Sequence, residues 1–398
     1  MNFLSTIKKT VSATKGISVT DGDSVRIRTI IIRVTLIAWF SSKLLCYKLW
    51  LSDRNFPIVP YIHLGFEIPS IIHTILFIAS LSAMLLLFLM PQKRPFLQLL
   101  LTLEIAGCLL DQTRWQAWEY QYLLMSVIFI TNWKHQIKTI SLLSLLLSCT
   151  YIFSGICKLN PVFVQFFWQF EILHNLLHLP EHFVQNRMVH RLGYSLPGIE
   201  VVGGILFLFK RTRRLGAGLL ILMHLLTLII LGPFGINYNS SVWSWNLVMM
   251  VYLYLIGIRQ QEVQFKPLVS RNSLVNLPVL ILMIVMPIVG LLDYWPHFLS
   301  FSLYSYKAKQ LVISIDENTA NFKFFEPYFE GKKNYTWANA NSRQLILHNW
   351  AMSEMNTPPF PEEGYYKKFR VAFINKYPST KAHFFIYKSE KHLLTELK

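Results

Sequence analysis

The stretch Thr139–Cys157, TISLLSLLLSCTYIFSGIC, decides the fold. It contains no charged residue and has the roughly 17–25 residues that a helix needs to cross the hydrocarbon core of a bilayer. Lys158 closes it. Eight further apolar runs flank it: Ile30–Trp50, Ser70–Met90, Phe96–Leu110, Glu119–Ile130, Leu196–Phe209, Leu215–Leu231, Val242–Ile258 and Val275–Leu292. Those beginning at Phe96, Glu119 and Leu196 are short, as suits helices that are tilted, broken or buried against others. The whole chain of 398 residues agrees, being 53% hydrophobic and 15% charged, where a soluble domain carries about a quarter charged residues. Its mean hydropathy is +0.38. Apolar runs this dense cannot all fit one soluble core. The expected fold is an all-α polytopic bundle of about nine spans over residues 30–292. Disorder, collagen and coiled coil are excluded, and so are disulfide and zinc frameworks, because Cys46, Cys108, Cys149 and Cys157 lie in apolar runs without CxxC spacing.

Basic residues orient the bundle. Lys8, Lys9, Lys15, Arg26 and Arg28 precede the first span, and Lys93, Arg94, Lys134, Lys138, Lys210, Arg211, Arg213, Arg214, Arg259, Lys266 and Arg271 fall on the same side. The opposite loops hold only Lys48, Arg54, Arg114, Arg187 and Arg191. The positive-inside rule then gives an odd number of spans, a cytoplasmic N-terminal tail over residues 1–29 and an extracytoplasmic C-terminus. That tail has no apolar h-region before a cleavage site and does not read as a signal peptide. The net charge of +17 follows from loops facing an anionic leaflet, so no nucleic acid is expected as a partner.

Residues 293–398 change composition, with mixed charges and many aromatics. Leu311–Ile315, Arg343–His348, Phe369–Ile374 and Ala382–Tyr387 read as strands between Pro, Gly and Asn signals. They predict a small β-rich extramembrane domain. Between residues 160 and 195, Phe163, Phe166, Phe167, Phe170, Leu173, Leu176 and Leu177 recur at helical spacing among polar residues. This predicts an amphipathic helix in the membrane interface, serving as a packed lid or anchor or as a gate.

An ionisable side chain at the centre of a span costs about 2.5–3.5 kcal/mol on insertion scales, so the exceptions carry the information. Glu104, Lys158, Glu200 and His224 stand out, with Asp111, Gln112, Arg114 and Gln121 around a short turn. Lys158 has three readings: snorkelling to the head groups, pairing with a carboxylate such as Glu200, or acting as a desolvated base. His224 is either an interhelical hydrogen bond or a site residue. Glu104 suits a structural pair, and Arg114 a solvated turn. Glu171, His174 and His178 can share a helix face, but Pro180 breaks the register before His182 and no HExxH is present, so no metal site is expected. After the seventh run, Gly232-Pro233-Phe234-Gly235 forces a turn, followed by Asn237 and Asn239 and by Trp243, Trp245 and Asn246. The tryptophans fit an interfacial belt. No phosphate loop, nucleophile elbow or inverted repeat is visible.

The run from Tyr151 to Asn160, the turn from Trp115 to Tyr122, Gly198 to Phe209, His224 with its Gly-Pro-Phe-Gly turn, and Phe298 to Leu303 together resemble the membrane domain of vitamin K-dependent gamma-glutamyl carboxylases, shared with bacterial HTTM proteins. The likeness covers roughly residues 100–305, and Gly155-x-x-Lys158-Leu159 is its most specific part. DoxX-like proteins are a looser match. The resemblance implies a reduced quinone as cofactor, with Lys158 as the base towards it and His224 falling on a histidine of a family helix. Cys157 stands where the carboxylase has another lysine, and the C-terminal part is far smaller, so glutamate carboxylation is not implied.

The reading that results is a membrane protein binding a quinone or other lipidic molecule near Lys158 and His224. Glu104, Arg114, Gln121, Tyr122, Glu200, Asn237, Trp243 and Asn246 are the expected ligand-contacting residues. The pocket would lie between the fifth, seventh and eighth spans and open to the far side of a bacterial inner membrane. The alternative is a non-catalytic assembly or accessory subunit whose residues 293–398 bind another envelope protein.

Overall fold

The structure, a computed structural model, describes residues 21–61, 68–259, 263–265, 271–329, 341–388 and 393–397. Residues 1–20 of the basic tail, and Lys266, lie outside the described residues.

All nine apolar runs form helices. We label them α1 (Asp21–Leu45), α2 (Ser70–Leu89), α3 (Arg94–Leu110), α4 (Ala117–Thr131), α5 (Gln136–Lys158), α6 (Ser195–Leu208), α7 (Arg213–Leu231), α8 (Ser240–Arg259) and α9 (Leu274–Gly290). Five of them, α2 and α5 to α8, are long and apolar enough to cross a membrane, α6 together with the short helix leading into it. The helix α1 is longer than any of these but carries Arg26, Arg28, Arg33 and Lys43, and it starts inside the stretch expected to be tail.

Burial separates centre from periphery. In α5, 83% of the most apolar stretch is buried, against 28% in both α2 and α7. Almost every side chain of α4 is buried as well. A helix that is apolar all round must be either enclosed or wrapped in lipid, and this bundle contains both kinds. Ile71, Ile75, Ile78 and Leu85 of α2, and Leu222, Leu225, Leu226 and Ile229 of α7, form the exposed apolar surface. In sequence order, α1 packs on α2 and α8, α2 on α3, α3 on α4, and α4 on α5. Helix α6 lies along α5, with α7 beyond it.

The α5–α6 contact is close because Gly155 lacks a side chain. A Cβ there would sit 2.6 Å from Val201 Cγ2 and 2.8 Å from the Pro197 carbonyl oxygen. Gly204 does the same one turn on, where a Cβ would meet the Ser148 carbonyl oxygen at 3.1 Å. Just past the end of α5 stands Asn160. Its amide donates to the carbonyls of Cys157 (2.8 Å) and Ser305 (3.0 Å), and its Oδ1 accepts from the Phe163 N–H.

Residues 164–176 are wound as a π-helix (Val164–Leu176) instead of the α-helix expected. The wider winding breaks the 3.6-residue stripe. Phe163, Val164, Ile172 and Leu173 are buried, while Phe166, Phe170 and Leu177 are exposed. A chain reversal brings this segment back as a short helix, Arg187–Leu192, and Trp168 Nε1 donates to the Val189 carbonyl at 2.8 Å to hold the hairpin together.

The C-terminal part is a four-stranded antiparallel sheet in the order β2-β1-β3-β4, with β1 Gln310–Asp316, β2 Ser342–Ile346, β3 Ala382–Lys388 and β4 Leu393–Glu396. Its longer helices among the described residues are α10 (Leu347–Met355) and α11 (Glu363–Lys376). Residues 369–374, expected as a strand, are the middle of α11. Tyr365, Tyr366, Phe369 and Phe373 recur at helical spacing and are all buried, and this periodicity overrides the β-propensity of the aromatics.

This domain is fastened to the helices. Thr113 Oγ1 and Tyr365 OH are 3.0 Å apart, Gln116 donates to the Pro358 carbonyl (2.9 Å), and Asn356 to that of Leu45 (3.0 Å). The Asn55 N–H donates to Glu354 (3.0 Å). Beneath that seam lies an ion pair of Arg54 with Asp111, both inaccessible.

Candidate functional site

Four side chains singled out from the sequence line one cavity: Lys158, Glu200, His224 and Asn246. It measures about 180 Å³ and lies between α5, α6, α7 and α8. Phe163 and Phe167 of the hairpin close one end, with Leu303 and Tyr304 of the segment joining α9 to the sheet. The sixth span, absent from the expected pocket, supplies Pro197, Ile199 and Glu200.

The polar wall has two parts. In the first, Lys158 Nζ donates to both oxygens of Glu200 (2.8 and 2.9 Å) and to Ser154 Oγ (2.9 Å). Ser154 is one turn before Lys158, so α5 presents the two together. Their juxtaposition with Glu200 depends on the close approach at Gly155. The side chains are 13% and 10% exposed, so the pair is sheltered yet reachable from the cavity.

The second part is a chain of three. Asn246 Nδ2 donates to the Val242 carbonyl (2.8 Å), which turns Asn246 Oδ1 towards His224 Nδ1 (2.8 Å). Nδ1 of a neutral imidazole must then carry the proton, and Nε2 accepts from Tyr151 OH at 2.7 Å. One backbone carbonyl thus fixes the direction of the whole chain, and leaves the lone pairs of the Tyr151 oxygen available as acceptors. Gln121 stands behind this wall, accepting from Trp245 Nε1 (3.1 Å) and touching Met249 Sδ (3.1 Å).

The remaining candidates lie elsewhere. Glu104 is buried among α1, α2 and α3, accepting from Lys43 Nζ (2.5 Å) and from Ser80 Oγ. Lys43 also sits 3.3 Å from the centre of the Trp50 ring. Arg114 is 1% exposed, not solvated, and donates to the carbonyls of Leu49 (3.1 Å), Gly107 (3.0 Å) and Trp50 (2.8 Å), with His73 Nδ1 at 2.9 Å. Tyr122 is buried against Trp39 and Trp118. Trp243 Nε1 caps the end of α7 through the Leu231 carbonyl at 3.1 Å, and Asn237 is exposed in the following turn with φ 47°. Among the described residues no group of three or more His, Cys, Asp or Glu is placed to hold a metal.

Among the polar contributors, Tyr151, Ser154 and Tyr304 were not singled out from the sequence. Tyr151 reads as one more aromatic of a span until His224 is found beside it. Tyr304 belongs to a connector in which Phe301, Tyr304 and Tyr306 all have positive φ (58°, 53° and 56°). Such conformations cost roughly 1–3 kcal/mol each for non-glycine residues. Asn239 Nδ2 donates to Tyr304 OH at 2.9 Å and holds that ring over the cavity.

Residues 136–259 match a family model described as methylamine utilisation protein MauE. The matched stretch contains α5 to α8, the four helices that wall the cavity. Neither a curated protein nor a solved structure matches the chain. This finding overturns the resemblance to the carboxylase and HTTM proteins. The Gly155-x-x-Lys158-Leu159 run on which that likeness chiefly rested lies inside the MauE-like stretch, and its glycine is accounted for by helix packing. The base role of Lys158 towards a reduced quinone loses its family support with it. The lipid-facing helices and the match to this membrane-protein family together make the chain an integral membrane protein, MauE-like over residues 136–259.

Proposed function

We propose that the cavity binds a neutral, water-insoluble molecule whose hydrogen-bonding head group enters from the lipid. The observation that carries this reading is the composition of the mouth. Ile199, Leu222 and Leu226 line the cavity and are also 40%, 52% and 48% exposed on the apolar surface. A ligand therefore reaches the polar wall through the bilayer, its tail lying among these side chains.

The charge balance favours a neutral head. Lys158 is already compensated by Glu200, and an anionic group here would displace a carboxylate from its ammonium partner in a poorly hydrated space. The Tyr151 oxygen accepts hydrogen bonds and the Lys158 ammonium donates them, while the Ser154 hydroxyl is turned to Glu200 at 3.4 Å. Oxygens of the carbonyl or hydroxyl kind, as in quinones and isoprenoid alcohols, are matched by this set. The lysine and the Tyr151–His224 pair are suited to moving a proton to or from such an oxygen. The Lys and Arg asymmetry supports placing the cavity end of α5, the hairpin and the sheet domain on the extracytoplasmic side.

Solvent extraction of the purified protein followed by mass spectrometry tests the reading. A neutral lipidic molecule is expected at about one per chain, and absent from a His224→Leu variant of unchanged secondary structure. Extracts containing only bulk phospholipid, identical in both proteins, would refute it.

A further inference from the structure

Outside that cavity, the hairpin carries a second concavity, a shallow cup of about 470 Å³ lined by Gln165, Gln169, Gln185, Arg187, His190 and Arg191. Its polar contacts are partly internal. Gln169 donates to the Val184 carbonyl and accepts from His190 Nδ1 at 2.8 Å, and Gln185 donates to Glu181 at 2.7 Å. The two arginines stand apart from this. They lie one turn from each other on the helix Arg187–Leu192, so they share a face. Neither guanidinium makes a hydrogen bond or ion pair with any described residue.

The adjoining stripe of the same helix is apolar. Met188 and Leu192, each next in sequence to one of the arginines, are 81% and 58% exposed, and Phe183 just before them is 46% exposed. Large apolar side chains held this far out beside unpaired cations are what an amphipathic segment presents to the boundary between head groups and acyl chains. There the stems of the arginines lie along the apolar layer while their heads reach phosphate level.

We propose that this cup binds a phosphate group through Arg187 and Arg191, and that its source is the head group of an anionic phospholipid. Guanidinium forks match phosphate oxygens in geometry and charge. The neighbouring glutamine amides complete a polar lining without adding a negative charge. The site is independent of the neutral-ligand cavity, since its residues belong to the hairpin's outer side.

The test uses the full-length protein, delipidated in detergent and then offered phosphatidylglycerol or phosphatidylcholine, with retention read by native mass spectrometry. Wild type is expected to keep phosphatidylglycerol in preference to phosphatidylcholine. The double variant Arg187→Gln/Arg191→Gln should lose about thirty-fold in that preference, equal to ~2 kcal/mol at one basic residue per kcal/mol. Arg187→Lys/Arg191→Lys should recover most of it, which separates charge from folding. A second arm titrates inorganic phosphate into the lipid-free protein by calorimetry. Binding there at millimolar concentration, abolished in the glutamine variant and competing with phosphatidylglycerol, would overturn the lipid source in favour of soluble phosphate. Equal retention of both lipids by wild type, or an unchanged preference in the glutamine variant, would overturn the site.

Discussion

Replacing Lys158 by methionine and Glu200 by leucine, singly and together, separates what this ion pair does for the fold from what it does for a ligand. Removing one partner of a fully buried pair costs about 3–5 kcal/mol, because the other charge is stranded. Here the side chains keep 13% and 10% exposure, so the expected cost of either single change is lower, ~2–4 kcal/mol. Replacing both by apolar groups of similar size is nearly neutral in such cases. The double variant should therefore be within ~1 kcal/mol of wild type, with a coupling of ~3 kcal/mol or more between the positions. Denaturant unfolding in detergent, followed by near-UV circular dichroism, measures the three differences. The same samples are extracted for bound ligand. The double variant should be folded and empty. If it is folded and carries the wild-type ligand at wild-type occupancy, the pair is only structural and the proposed head-group site is wrong.

Three other outcomes follow from the geometry. Tyr151→Phe removes the donor to His224 Nε2 (2.7 Å) and should cost about 1–2 kcal/mol through the unpaired nitrogen, with a clear loss of ligand occupancy on extraction. Gly155→Ala places a Cβ 2.6 Å from Val201 and 2.8 Å from a carbonyl oxygen, forcing α5 from α6, so unfolding should show ~1–3 kcal/mol of overpacking and the ligand should be lost along with the Lys158–Glu200 geometry. In the C-terminal sheet domain, burial pushes the His348 imidazole down to about 4 from its ordinary 6.5, and it packs against Tyr238. The unfolded state then binds the proton more readily, so stability is complete above pH 6.5 and falls as the pH is lowered from 6.5 towards 4. A contribution of ~1–2 kcal/mol to the loss by pH 5 is expected from this group, so the profile over that window should be shallower by that amount in His348→Gln than in wild type.

Much of the site was legible because an ionisable group inside a span has few roles open to it. That argument finds Lys158, Glu200 and His224, and Asn246 follows from its place in a polar turn beside the tryptophans. The same argument also selects Glu104 and Arg114, which the fold uses as buried structural centres. Their partners decide the difference: Lys43 is sixty-one positions from Glu104, and Arg114 spends its donors on backbone carbonyls that no side-chain pattern announces. Residues 369–374 failed for another reason. Aromatic density suggested a strand, although Tyr365, Phe369 and Phe373 already carried a helical period. In the hairpin, regular spacing pointed to an α-helix, and the change to π-winding turned Phe166 and Phe170 outward.

The Lys43–Glu104 pair has a consequence for how the chain is made. Helix α1 carries Arg26, Arg28, Arg33 and Lys43, the last of them in its final turn, where an unpaired cation is opposed by less than the ~2.5–3.5 kcal/mol that applies at a helix centre. The carboxylate that neutralises Lys43 is synthesised only with α3, after all of α2. The final packing of α1 against α2 and α3 is therefore expected to wait until Glu104 has been made, since only then does Lys43 gain its buried partner. A nascent chain truncated after α2 would hold Lys43 without its carboxylate, although every residue of that helix is present.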